Sequence, residues 1–208
     1  MYKKLDESTI NNLLESGIQE FAANGFDKAN INQIAKRAGL SVGVIYKYYE
    51  DKDGFFIACV RHALRVLDQI LKDVYSESTD LSGNIRNLLT ALIENAKSYK
   101  EYHLMYHEIT AGGCTKFAVQ LANEIEAFTA GLYSNIIEKA RQEGIIRQDI
   151  DSRLFAFFFD NLLMMLHFSY SCDYYIERMK IYCGGEKPDD EVIINEMMKL
   201  LNAAFGIA

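Results

Sequence analysis

Ala35, Gly39 and Ile45 constrain this chain more than any other set of positions. Ile31, Ile34, Ala35 and Ala38 recur at i, i+3, i+4 and i+7, which gives a short helix one apolar face. Asn30 stands at its start and Gln33 three residues on, a variant of the reciprocal pair that satisfies free N–H groups at a helix N-terminus. Gly39 supplies the left-handed residue that ends such a helix without steric cost. Ser41 is placed to cap a second helix whose inner side is Val44, Ile45 and Tyr49. A helix-turn-helix needs a small residue where its helices cross, a glycine in the tight turn and an apolar plug on the second helix, at this spacing. Between Lys28 and Tyr49 the charged residues are Lys28, Lys36, Arg37 and Lys47, with no acid, as a surface facing phosphates requires.

The rest of the chain sets the frame. At 208 residues it can bury a large core, and with half its residues hydrophobic and a quarter charged it has the composition of a soluble globular protein. Pro188 is its one proline and strand-like alternation is scarce, so the sequence predicts an all-α fold. The net charge of −7 is uneven: residues 54–208 hold most of the excess acid, and the small basic stretch at 28–47 must make any contact with a polyanion. Cys59, Cys114, Cys172 and Cys183 show no CxxC spacing, and MYKKLDESTI has no apolar segment. Reduced thiols, no signal peptide and a cytoplasmic location are the expectation.

Nine or so helices are predicted. The first begins near Asp6–Ser8, carries Leu13, Leu14, Gly17, Ile18 and Phe21, and ends at Asn24-Gly25. The fourth starts at Lys52, capped by Asp51, and continues to about Val74; Gly54 weakens its first turn. After the polar break 76–84 come a fifth helix, a short aromatic sixth over 99–111 ending at Gly112-Gly113, and a long seventh closed by Gly144. The eighth runs from Asp151 or Ser152 to about Tyr182, and a ninth, with Pro188 in its first turn, ends the chain. Leu154–Tyr170 approaches the length of a membrane span, but Asp160, Asn161 and His167 interrupt it, so a helix covered on both sides is expected, with no membrane partner. One stripe is Leu154, Phe158, Asn161, Met165 and Phe168, the other Phe155, Phe159, Leu162, Leu166 and Tyr170. A second subunit would cover whichever stripe the chain itself leaves open, giving a two-fold homodimer through the eighth and ninth helices.

Residues 10–56 resemble the N-terminal domain of TetR-type transcriptional repressors. The resemblance rests on Phe21, Gly25-Phe26, Ile34-Ala35, Ala38-Gly39-Leu40-Ser41, Gly43-Val44-Ile45-Tyr46, Tyr49 and Lys52. Val44, Tyr48 and Gly54 depart from the usual residues of that pattern, where Thr or a small residue, His and a good helix former are common. The resemblance implies a three-helix DNA-binding head (1–50) joined by a long helix to a ligand-binding and dimerisation domain (51–208). Lys28, Asn30, Val42, Gly43, Val44, Tyr46, Lys47, Tyr48 and Lys52 are then the expected DNA-binding residues, with Lys47 and Val44 near base edges and Tyr46, Tyr48 and Lys52 on phosphates.

An effector is expected among Tyr102, Met105, Tyr106, Ile109, Phe117, Leu121, Phe128, Asn161, Met165 and Phe168, a mostly apolar lining with a few polar points; simple core packing would use the same residues. It is expected to be small and largely apolar, with a cationic ligand or a long acyl chain compatible, and to release the repressor from a near-palindromic operator. A ligand-independent DNA binder and a helical protein–protein adaptor are the alternatives. His103 and His107 share a helix face without a third ligand nearby, so no metal is expected. No phosphate loop, GxSxG or HExxH occurs, so neither catalysis nor a cofactor is expected.

Overall fold

The computed structural model describes residues 5–77, 80–110 and 114–206, with the side chains of all but 71–77 and 128. Ten α-helices and one 3-10 turn, with no strand, are found among the described residues. They are α1 (Glu7–Lys28), α2 (Ile31–Ala38), α3 (Val42–Tyr49), α4 (Lys52–Glu77), α5 (Leu81–Ser98), α6 (Lys100–Thr110), the 3-10 turn (Thr115–Phe117), α7 (Ala118–Gln142), α8 (Ser152–Ser171), α9 (Asp173–Tyr182) and α10 (Asp190–Phe205). Two compact units result: Met1–Asp68 with Glu101–Ala118, and Gln69–Lys100 with Val119–Ala208. The sequence reading divides the chain after residue 50; the compact units divide it inside α4 and assign α6 to the first unit.

In the first unit α1 packs on α2, and its Leu13, Leu14, Ile18 and Phe21 are buried, as are Ile34, Ala35, Ile45, Phe55 and Phe56. At Gly17, α1 and α4 approach closely: a Cβ there would lie 2.6 Å from Cys59 Sγ and 2.7 Å from the Phe55 ring. Gly25, where the sequence predicts the helix to end, instead kinks α1 (φ 70°, ψ 170°), which runs on to Lys28. The last turn beyond it places Phe26 against Phe21, Phe56 and Phe117. Asp51 caps α4 through a 2.8 Å bond from Gly54 N–H.

The second unit is built on α5, whose buried face (Ile85, Leu88, Leu89, Leu92, Ile93, Ala96) packs against α8 and α10. Phe205 of α10 meets the rings of Phe155 and Phe159 on α8 at 4.8 and 6.1 Å. Asp151 caps α8 by accepting from Arg153 and Leu154 N–H, where the sequence places it.

The predicted eighth helix is two. Cys172 is extended (φ −107°, ψ 123°) and separates α8 from α9, so the ninth predicted helix is α10. Ser169 and Ser171 hydroxyls donate to the carbonyls four residues back, competing with the backbone ladder in the last turn of α8, and Asp173 opens α9 with an acid in its first turn. Pro188 precedes the cap of α10, Asp189, instead of lying within its first turn. Within the chain α8 is covered on one side, as expected for one of its two stripes. Phe155, Phe159, Leu162, Leu166 and Tyr170 turn inward to varying depth, whereas Leu154, Phe157 and Phe158 are each about 60% exposed. By length and composition α8 is apolar enough to cross a membrane, and its packing on α5 and on the Phe205 ring of α10 accounts for the inward half of that character. The proposed glycine stop at 112–113 lies outside the described residues.

Candidate nucleic-acid interface

The helix-turn-helix is built by local rules plus one buried carboxylate. Asn30 Oδ1 accepts from Asn32 N–H at 2.9 Å, so α2 is capped as expected. The reciprocal partner is not Gln33. Glu20 on α1, buried to 6% exposure, accepts the Asn30 N–H at 3.1 Å. The same side chain takes Asn24 Nδ2 at 3.0 Å and pairs with Arg37 at 3.5 Å, and Arg37 also donates to Ser16 O at 3.0 Å. A single carboxylate thus fixes the entry of α2 and its far end to α1. The turn follows the expected geometry: Gly39 is left-handed (φ 69°, ψ 27°), with Leu40 N–H on Ala35 O at 2.9 Å and Gly39 N–H on Lys36 O at 3.2 Å, the paired bonds of a Schellman ending. Ser41 occupies the N-cap position of α3 but makes no side-chain bond to it.

On α3, Ile45 is fully buried as the plug. Gly43, Tyr46 and Lys47 are exposed, and Val42, Val44 and Tyr48 are half-buried. Lys28 and Asn30 are exposed on the same unit. Two predicted phosphate contacts already have partners. Tyr48 OH accepts from Leu5 N–H at 2.7 Å, tying the chain's start to α3 and leaving the phenol hydrogen to donate. Lys52 Nζ donates to Asp27 O (3.1 Å) and Ala29 O (2.8 Å) and lies 5.1 Å from the Phe26 ring. It therefore sits at the carbonyl end of α1, where a cation is favoured, with one N–H to offer elsewhere. Tyr49 is core-directed, its ring 5.1 Å from Phe55, and burial raises its phenol pKa.

The junction of α3 and α4 is a γ-turn. Glu50 has φ 65° and ψ −57°, and Asp51 N–H reaches Tyr49 O at 2.7 Å. Glu50 is the one positive-φ residue other than glycine among the described residues, a conformation that costs energy for an L side chain.

The residues expected around an effector divide between the two units. Tyr102, Met105, Tyr106, Ile109 and Phe117 fall in the first, and Leu121, Asn161, Met165 and Phe168 in the second. Phe128 lies outside the described side chains. Tyr102 donates its hydroxyl to Glu15, and Phe117 joins the Phe26–Phe56 cluster. Asn161 Nδ2 donates to Phe157 O at 2.7 Å. His103 is buried and His107 half-buried; among the described residues no three His, Cys, Asp or Glu side chains converge as a metal site. Cys59, Cys114 and Cys172 are buried free thiols and Cys183 an exposed one.

The sequence profile of bacterial regulatory proteins of the tetR family matches residues 13–59. The HTH-type transcriptional regulator BetI of Yersinia pestis (strain Pestoides F) is 40% identical over 60 residues, 29% of this chain; the match spans 30% of the length of that relative. Among solved structures, the fatty acid degradation regulator FadR from Bacillus halodurans superposes with a TM-score of 0.73 at 21% identity, covering 96% of both chains. The regulator FadR from Bacillus subtilis, in complex with stearoyl-CoA, superposes with a TM-score of 0.67 at 18% identity over 92% of this chain and 97% of its own. At these identities the two structures share the fold of the whole chain. The profile match falls on the residues that build the helix-turn-helix, so the N-terminal domain is of the type found in bacterial regulatory proteins of the tetR family.

Proposed function

We propose that this protein is a DNA-binding transcriptional regulator that acts as a homodimer and is released from its operator by an apolar, acyl-chain effector. The observation that carries the DNA reading is the α2–α3 pair itself. It has a glycine-ended first helix, a second helix pinned by Ile45, and Gly43, Tyr46 and Lys47 exposed on that helix with no acid along it. Val42, Gly43, Val44 and Lys47 address base edges in the major groove, while Tyr46, Tyr48 and Lys52 hold phosphates. The exposed face of α8, Leu154, Phe157 and Phe158, together with the exposed Leu200 on α10, is the surface that a second copy covers. Pairing two such faces is isologous, so the operator is a near-palindrome.

For the effector, the support is the likeness to a regulator whose structure holds stearoyl-CoA, together with the apolar Leu121, Met165 and Phe168 of the second unit. Gel-shift titration of the DNA upstream of its own gene tests the first part. A retarded complex is expected; Lys47→Ala should alter the preferred sequence, and Tyr48→Ala/Lys52→Ala should weaken binding to all sequences. Binding by the folded double variant equal to the parent's would exclude this interface. Long-chain acyl-CoA or the free acid, added to the complex, should then release DNA; an unresponsive complex would leave a ligand-independent binder.

A further inference from the structure

One long-range bond ties the start of the chain to α3. Leu5 N–H donates to the Tyr48 hydroxyl at 2.7 Å, across 43 positions of sequence. That N–H belongs to the peptide group joining Lys4 to Leu5, and it lies outside α1, which begins at Glu7. Tyr48 acts here as the acceptor, so its own hydrogen is still available to a phosphate oxygen, and one side chain can serve both partners at once.

The residues on either side of this bond carry opposite charge. Lys3 and Lys4 precede Leu5 in the sequence, and Asp6 and Glu7, both exposed, follow it. The Asp6 carboxylate accepts from Thr9 N–H at 2.8 Å and from Ser8 Oγ at 3.0 Å, and these bonds hold it below the usual carboxylate range. Glu7 lies in the first turn of α1, where an acid is favoured. Both acids therefore suit the start of α1, but they follow directly on a residue bonded to α3, a helix with no acid of its own. Against a polyanion they are a cost, and the two lysines on the other side of Leu5 offset it.

We propose that Lys3 and Lys4 belong to the DNA-contacting surface, anchored by the Leu5–Tyr48 bond beside the last turn of α3, where they take backbone phosphates next to the one that Tyr48 meets. This rests on the DNA-binding reading above and adds two contacts that α2 and α3 do not supply. Successive Cα atoms are about 3.8 Å apart, so chain continuity keeps Lys3 within roughly 8 Å of Leu5. A lysine ammonium is a compact charge without the planar fork that reads a base edge, so these contacts add affinity on any sequence.

The test compares the full chain with its Lys3→Ala/Lys4→Ala variant by gel shift over roughly 0.05–0.2 M salt, on the DNA upstream of its own gene and on unrelated DNA of the same length. The slope of log affinity against log salt should become shallower by roughly 1.8, two phosphates at about 0.9 each, and affinity at low salt should fall roughly tenfold or more on both DNAs. Lys139→Ala/Lys199→Ala, which removes two exposed lysines of the second unit, should leave the slope unchanged. Tyr48→Phe, measured with and without the lysines, tests the anchor: its cost should be smaller by roughly threefold or more once they are gone. An unchanged slope in the Lys3/Lys4 variant, or an equal change in the Lys139/Lys199 control, would overturn the proposal. A loss confined to one DNA sequence would overturn the assignment to phosphates, and equal costs of Tyr48→Phe in both backgrounds would overturn the anchor. A parent protein that retards neither DNA removes the DNA-binding reading and this proposal together, an outcome distinct from a parent and a lysine variant that bind alike.

Discussion

The carbonyl oxygen of Tyr49 occupies the space that a side chain on Gly54 would need: an ideal Cβ there lies 2.3 Å from it. The γ-turn at Glu50 swings this carbonyl over the first turn of α4, and the missing side chain lets it lie there. Helix propensity alone makes Gly54→Ala stabilising by somewhat under about 1 kcal/mol. The contact reverses the sign, because the obstacle is backbone and cannot rotate away. Gly54→Ala is expected to destabilise by about 1–3 kcal/mol, and Glu50→Gly, which relieves the positive φ, to stabilise by about 0.5–1 kcal/mol. Thermal unfolding followed by circular dichroism checks both; an alanine variant with a raised midpoint would refute the clash.

Glu20 is the second point where sequence and structure part. It accepts bonds from Asn30 N–H, Asn24 and Arg37 in a buried site. Glu20→Ala leaves the Asn30 amide and the half-exposed Arg37 guanidinium short of their partner, which costs about 1–2 kcal/mol. Glu20→Gln keeps an acceptor and should cost less than half of that. Urea unfolding of the two variants gives the comparison, and equal losses would show that charge, not hydrogen bonding, is what matters there.

The uncovered face of α8 gives a prediction about assembly. Leu154, Phe157 and Phe158 recur at i, i+3 and i+4 on one side of the helix. A charge in the middle of a buried homodimer face is left without water or partner. Phe158→Glu should therefore convert a particle of roughly twice 23.7 kDa into one near 23.7 kDa. Sedimentation equilibrium at micromolar concentration measures this; a parent protein that is already monomeric would remove the dimer.

Asp160, on the same helix, gives a pH signature. Burial, reinforced by Glu126 nearby, raises its carboxyl to about 6. A carboxyl whose folded pKa lies above its unfolded one favours the folded state most below about pH 4, and that contribution is lost as pH rises through about 6. At pH 7 the ionised group is a cost. Asp160→Asn is expected to stabilise by about 1–2 kcal/mol at pH 7, after allowance for partial exposure, and by little at pH 4. Denaturation midpoints at the two pH values decide it: a pH-independent difference would assign the effect to packing instead of charge.

What the sequence determined by itself is what depends on neighbours along the chain. Ala35, Gly39 and Ile45 fix the helix-turn-helix because crossing, turn and plug are all set within eleven residues, and Asp51 and Asp151 cap their helices because a cap acts two or three residues away. Periodicity likewise showed that α8 carries two apolar stripes. It does not show what covers them, and only the positions of α5 and α10 decided that Phe159 and Leu166 turn inward while Leu154 and Phe158 stay open. The same limit explains the other differences. Gln33 was the local candidate for the Asn30 N–H, but Glu20 arrives from another helix. Gly54 reads as a weak helix residue until the Tyr49 carbonyl is placed above it. Tyr102 and Phe117 have partners that spacing does not reveal: a hydroxyl meets Glu15 and a ring meets Phe26, both on α1. Local spacing selects which elements form; contacts between residues far apart in sequence select what each side chain does, because only the folded chain brings their atoms within bonding distance.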